Sequence, residues 1–202
     1  MSSCVVVQCS QGFVISTDSV AFKTPIGSSD EKYGPVRVST RKLFRLHPDI
    51  VVAGVGEFNS YTKVFNEAAS TSKVANELVD KVLEKSVRDA ADSRIFVLHR
   101  HDGKVSLHIS ELGHVRRDHE GTVSYPDPAI NGLFSVMFES PHGKAIRQTG
   151  MLGVAGLVMA FNAMAVRLSP DLAEPFDTLC FLSKGEFQLS GGITPLPFAE
   201  IW

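Results

Sequence analysis

Cysteine is scarce: three residues in a chain of 202. A number that small and odd argues against a disulfide framework and fits a reducing compartment, so a cytoplasmic location is expected. Charge of one sign is lacking too. Twenty Lys+Arg stand against 22 Asp+Glu, a formal net charge of −2. Such a balance carries no global signal for nucleic acid or an anionic membrane. There is no internal repeat and no low-complexity segment. No Lys/Arg-led leader is visible, because Met1-Ser2-Ser3 runs directly into Cys4-Val5-Val6-Val7, so no targeting peptide is expected. Long apolar runs are absent with one exception, Met151 to Leu168, which reaches the lower edge of membrane-span length. Gly153, Gly156 and Asn162 interrupt it, Arg167 ends it, and no aromatic belt flanks it. A buried helix is the expectation. Its apolar residues call for cover on several sides, and a subunit contact is one way to supply it.

What is present is an ordinary globular composition, 44% hydrophobic and 21% charged. It is too apolar for disorder and large enough for one sizeable domain. The first 55 residues read as strands: Cys4 to Cys9, Phe13 to Thr17, Lys42 to Leu46 and Ile50 to Val55. A long loop from Phe22 to Val38, with Pro25, Gly27, Gly34 and Pro35, separates the second from the third. Helical periodicity follows from Glu57 to Ser70 and from Lys73 to Ala90. Val74, Leu78, Val82 and Leu83 line one apolar face, and Ser72 is placed to cap the second helix. Strands return at Ile95 to Leu98, Val105 to Ile109, Val115 to Arg117 and Leu133 to Phe138. A helical stretch from Lys144 to Leu168 and a last strand, Thr178 to Leu182, complete the chain. Periodicity supports an α+β fold with mostly antiparallel strands. Two sheets with helices on their outer faces, a four-layer αββα sandwich, would satisfy the order.

The chemistry begins at the N-terminus. Removal of Met1 would give Ser2 both a hydroxyl and a free α-amine. An α-amine has a reference pKa of about 7.7–8.0, near enough to neutrality to serve as base. Such a nucleophile needs a cation beside it, a carboxylate to hold that cation, and a backbone N–H for the oxyanion. Asp18, Lys42 and Gly54 follow in order at strand ends. Taken alone, Asp18 also reads as a turn residue and Lys42 as a solvated strand-edge lysine.

These residues resemble those of proteasome-type β-subunits, members of the N-terminal nucleophile hydrolases. The likeness is carried by Met1-Ser2-Ser3-Cys4-Val5, Gly12 to Ser19, Ser39-Thr40-Arg41-Lys42-Leu43-Phe44 and Ala53-Gly54-Val55-Gly56. Ser2 precedes Asp18 by sixteen positions, as the nucleophile precedes the strand-end Asp in the family. Among the family's branches, the chain resembles the bacterial ancestral type, Anbu. It shares the Cys after the nucleophile, the Ser39–Lys42 run, and segments like Pro141 to Ile146 and Pro175 to Leu179. The betaproteobacterial proteasome homologues, some of which use Ser, are the other branch. The likeness covers residues 1–188 and leaves 189–202 as a tail.

The resemblance implies the αββα N-terminal nucleophile hydrolase fold and a self-compartmentalising peptidase. Ser2 matches the nucleophile, Asp18 and Lys42 the charged pair beside it, Gly54 the oxyanion donor, and Ser140 a supporting serine. It implies no metal or organic cofactor. The expected partners are peptide or unfolded protein substrates and further copies in a homo-oligomeric stacked ring, with no nucleic acid and no membrane. Three departures stand out: Ser where Thr is usual, Asn162 where the family places an Asp and a Ser near the amine, and a shorter first helical pair. A catalytically inactive ring subunit and a small-amide amidohydrolase are the alternatives. Among the remaining polar residues, His99 and His101 face one side of a strand and His108 could lie across the hairpin, but no complete metal-ligand spacing results, which favours an exposed polar face. Cys4 and Cys9 point to opposite sides of one strand.

Overall fold

The run Cys4–Cys9 is apolar at nearly every position, which a strand supports only if both faces are covered. A computed structural model describes residues 3–23, 36–125, 130–169, 172 and 175–196, and places this run as β1 (Cys4–Cys9) between two cores. Cys4 and Val6 enter one apolar cluster, Val5 and Val7 another. β2 (Gly12–Thr17) pairs with β1 antiparallel and alternates the same way, Phe13 and Ile15 against Val14. A two-stranded ribbon of β3 (Val20–Lys23) and β4 (Val36–Ser39) follows. It flanks the expected 22–38 loop, whose residues 24–35 lie outside the described residues.

The second sheet starts with β5 (Leu43–His47) and β6 (Ile50–Val55). In β6, Ile50 and Val52 face an outer cluster while Val51, Ala53 and Val55 face inward. α1 (Phe58–Thr71) and α2 (Ala75–Asp89) cover that outer face with Tyr61, Phe65, Leu78 and Val82. Then come β7 (Arg94–His101), β8 (Lys104–Glu111) and the short β9 (His114–Arg116) and β10 (Val123–Tyr125). α3 (Asn131–Phe134), a π-helical turn (Ser135–Glu139), α4 (Pro141–Gln148) and α5 (Met151–Leu168) form the other helical layer. β11 (Asp177–Leu182), β12 (Gly185–Ser190) and β13 (Thr194–Pro195) end the described chain.

The strand orders are β10-β1-β2-β11-β12 and β13-β5-β6-β7-β8-β9. Neighbours run antiparallel throughout, except that β13 lies parallel to β5. The two sheets pack on each other through Cys4, Ile15, Val51, Phe96 and Leu179, with one helical layer outside each. This is the expected α+β, four-layer αββα sandwich with two antiparallel sheets.

Four expectations differ from what is observed. Leu133 to Phe138 is helical, not a strand. Phe134 and Phe138 lie one turn apart, their centroids 4.9 Å from each other and 6.0 and 5.4 Å from Phe161 of α5. That aromatic contact needs the helical spacing i, i+4. The α4–α5 stretch is broken at Gly150, whose φ of +101° a side chain would resist. Ser72 is not the N-cap of α2; Val74 is, and Ser72 Oγ instead accepts the Val74 N–H from outside the helix. The segment read as a tail is drawn into both sheets, as the end of β12 and as β13.

α5 is buried on one face only. Val154, Val158 and Phe161 join the core, while Leu152, Met159, Met164 and Leu168 are exposed. Its length and apolar composition are compatible with a membrane span, but a third of the helix is buried in the single chain.

Candidate active site

At one end of the sandwich, β1 and β2 stop together. Cys4 pairs with Thr17, and the chain then diverges at Ser3 and Asp18. Two hydrogen bonds tie these residues. The Ser3 N–H donates to Asp18 Oδ1 at 2.7 Å, and the Asp18 N–H donates to the Ser3 carbonyl at 3.2 Å. The backbone that follows Ser2 is thereby fixed on the Asp18 carboxylate. Ser2 itself lies outside the described residues.

Lys42 enters from the other sheet, one residue before β5. Its Nζ donates to both Asp18 oxygens at 2.9 Å. The side chains are 2% and 0% exposed, so this is a bidentate ion pair inside the protein. Taking two charges out of water is costly, and the arrangement persists only because the remaining lone pairs are satisfied. The Val20 N–H supplies a further donor to Asp18 Oδ2 at 3.1 Å. Burial holds the Lys42 ammonium below the ordinary lysine range, with Asp18 pulling it back up. Burial thus favours the neutral amine and Asp18 the ammonium.

Gly54 lies on β6, opposite Ile95 of β7. Its lack of a side chain has a packing cause: a Cβ there would fall well inside contact distance of the Tyr61 ring. Tyr61 closes the site from α1. Burial raises its phenol, and the negative charge of Asp18 adds to the effect. Cys4 completes the wall. Burial, then Asp18, pushes its thiol far up, so it stays a neutral apolar group. Neither Cys4 nor Tyr61 carried a spacing signal. Only the fold sets them beside Asp18.

Ser140 is elsewhere in its interactions. It is the N-cap of α4, and its Oγ accepts the Gly143 N–H at 3.1 Å. That accounts for a Ser before Pro141 by helix capping alone. Asn162, which stands where the family places an Asp and a Ser, reaches from α5 to the first sheet. Its Nδ2 donates to Ser16 Oγ at 2.9 Å, within a buried Ser16–Thr178–Asn162 group between α5 and the first sheet. Ser16 points toward the helices, whereas Thr17, one position on, points between the sheets.

His99, His101 and His108 do share one side of β7–β8, with ring centroids of 5.2 and 6.4 Å. His99 and His108 are 4% and 5% exposed, so that face is covered rather than open. No group of three or more His, Cys, Asp or Glu suited to a metal occurs among the described residues. The three cysteines are free and buried.

No family model matches the chain, and neither does any curated protein. Solved structures do. One is a Gly-1 mutant of Anbu from Hyphomicrobium sp. strain MC1, with a TM-score of 0.60 at 14% identity. The match covers 94% of this chain and 88% of that one. At that identity the likeness is one of fold, and it extends over nearly the whole of both chains.

Proposed function

We propose that the chain is a proteasome-like peptidase of the N-terminal nucleophile type, with Ser2 as nucleophile once Met1 is removed. The observation that carries this is the buried Asp18–Lys42 pair, with the Ser3 amide held on the same carboxylate. A buried cation stabilises an adjacent alkoxide and lowers the cost of forming it. In this reading Ser2 Oγ attacks the scissile carbonyl carbon, and its proton passes to the Ser2 α-amine. That proton then goes to the departing amine as the C–N bond breaks, leaving an acyl ester on Ser2. Water attacks the ester, gives its proton to the same amine, and the free Ser2 hydroxyl is restored. Lys42 offsets negative charge on Oγ, and the Gly54 N–H faces the oxyanion.

Peptides or unfolded polypeptides are the substrates in this proposal. A homo-oligomeric ring in the cytoplasm would keep the sites from folded proteins. The exposed Leu152, Met159, Met164 and Leu168 on α5 favour assembly, since an apolar face of this kind is uncommon on a lone soluble domain.

Intact mass spectrometry before and after a peptide epoxyketone tests the reading. Loss of Met1 and one adduct, absent in Ser2→Ala, is expected. Ser2→Thr should retain peptide turnover and Ser2→Ala should lose it. A Met1-bearing, unmodified mass would sink the proposal.

A further inference from the structure

Asp177 is a buried carboxylate that the reaction above does not use. It opens β11, and its side chain is 2% exposed. The strand registers set it beside Thr17, and Thr17 beside Cys4. All three side chains therefore face the space between the sheets. Asp177 Oδ1 accepts the Gly192 N–H at 2.7 Å and lies 3.5 Å from the Arg41 guanidinium. The backbone N–H of Lys42 is also near enough to this carboxylate to favour its charged form. One side chain thus joins the end of β11, the Arg41–Lys42 segment and the strap from Gly191 to Leu196.

The strap is shaped around that carboxylate. Gly191 has φ of +65°, and a Cβ there would collide with Asp177; a Cβ at Gly192 would meet the Arg41 guanidinium. Beyond them β13 runs beside β5, the strand that Lys42 leads into, and the Leu196 N–H donates to the Arg45 carbonyl at 2.9 Å. The returning segment therefore flanks Lys42 on both sides, at the Arg41 side chain and along β5. Asp177 Oδ2 and Thr17 Oγ1 are both buried without a hydrogen-bond partner. Burial first, and the nearby Asp18 charge in addition, raise Asp177 above the ordinary carboxylate range. Its negative charge is thus a cost in the fold, and its value lies in accepting N–H bonds.

We propose that Asp177 is a positioning residue: with the strap Gly191–Leu196 it fixes the backbone at Lys42 and so keeps Nζ on Asp18. It acts through Lys42 and touches no reacting atom. The consequence for turnover rests on the peptidase reading; the consequence for the backbone does not. A displacement of about 1 Å in a positioned group can cost on the order of a hundredfold in rate. Asn at 177 preserves the acceptor, and Ala removes it.

The test uses the full chain and two readouts, backbone amide hydrogen exchange and hydrolysis of a fluorogenic peptide. Asp177→Ala is expected to lose about tenfold or more of the protection at the Lys42 and Gly192 amides. Its kcat should fall by at least about tenfold, with KM within about twofold. Asp177→Asn should restore both to within about threefold of the parent. Gly191→Ala displaces the strap while leaving the carboxylate in place. It should lower protection at the Lys42 amide and kcat together, which keeps the idea testable if Asp177→Ala does not fold. Native protection at Lys42 in either Ala variant overturns the proposal. So does an Asp177→Asn protein as labile as Asp177→Ala. If the parent hydrolyses no peptide, the peptidase reading fails and the exchange data alone decide the role of Asp177.

Discussion

The Asp18–Lys42 pair can be tested by a double-mutant cycle of Asp18→Asn, Lys42→Met and the two combined. Lys42→Met keeps most of the buried stem but leaves Asp18 with only the Ser3 and Val20 N–H groups as partners. Asp18→Asn leaves a buried ammonium facing a neutral amide. Breaking a buried pair from one side costs about 3–5 kcal/mol. Asp18 retains two backbone donors, so Lys42→Met belongs at the low end, about 3 kcal/mol. For a chain of this size that lowers Tm by roughly 6–12 °C. Asp18→Asn is also relieved as pH rises. Lys42 already lies below the ordinary lysine range, and a group whose folded pKa is depressed destabilises the fold less as it loses its proton. Its penalty should therefore shrink as pH rises toward the ordinary lysine value of about 10.4. In the combined variant neither charge remains. Its cost should fall short of the sum of the singles by about 2–3 kcal/mol. Urea unfolding followed by far-UV circular dichroism measures each corner, at one fixed protein concentration because assembly shifts apparent stability. Additive costs would show that the two side chains do not depend on each other and would remove the electrostatic basis of the site.

Gly54→Ala pushes a Cβ into the Tyr61 ring and should destabilise by about 1–3 kcal/mol, as overpacking does. An unchanged melting midpoint would show that the ring moves freely. Burial places His99 and His108 below the ordinary imidazole range. The unfolded chain then binds protons that the folded one resists, so stability is lost as pH falls below about 6.5. The urea midpoint should drop between about pH 7.5 and pH 5, and His99→Gln/His108→Gln should flatten that drop. A parent midpoint that rises on acidification would contradict the burial argument.

The strands and helices that position the site were legible where one periodicity dominated. β1, β2 and β6 are apolar on both faces because each lies between two layers, and their runs stand out. α1 and α2 carry a single apolar stripe. Leu133 to Phe138 has too few residues for its period to speak, and it was the contact with Phe161 that decided for helix. β12 is largely exposed, with Phe187 on its open side. It lacks the apolar run that marks an inner strand, and so it was missed. Asp18 and Lys42 could be anticipated because both stand at strand ends. Their meeting was implied by the resemblance and not by spacing, since a separation of 24 residues becomes 2.9 Å only when two sheets stack. Cys4, Tyr61 and Asp177 owe their places to register and layer packing, which are properties of the whole chain.

The topology also bears on when the site can exist during synthesis. β2 lies between β1 and β11, and Asp177 needs Gly192 to complete its bonds. Strands far apart in the sequence, β1–β2 and β11, are neighbours in one sheet. A chain still on the ribosome can form the ribbon and the β5–β6 hairpin, but not the closed arrangement around Lys42. Long-range pairing of this kind is slow to form. On the proposed peptidase reading that order is protective: the Asp18–Lys42 end is completed only after Gly192 has been made.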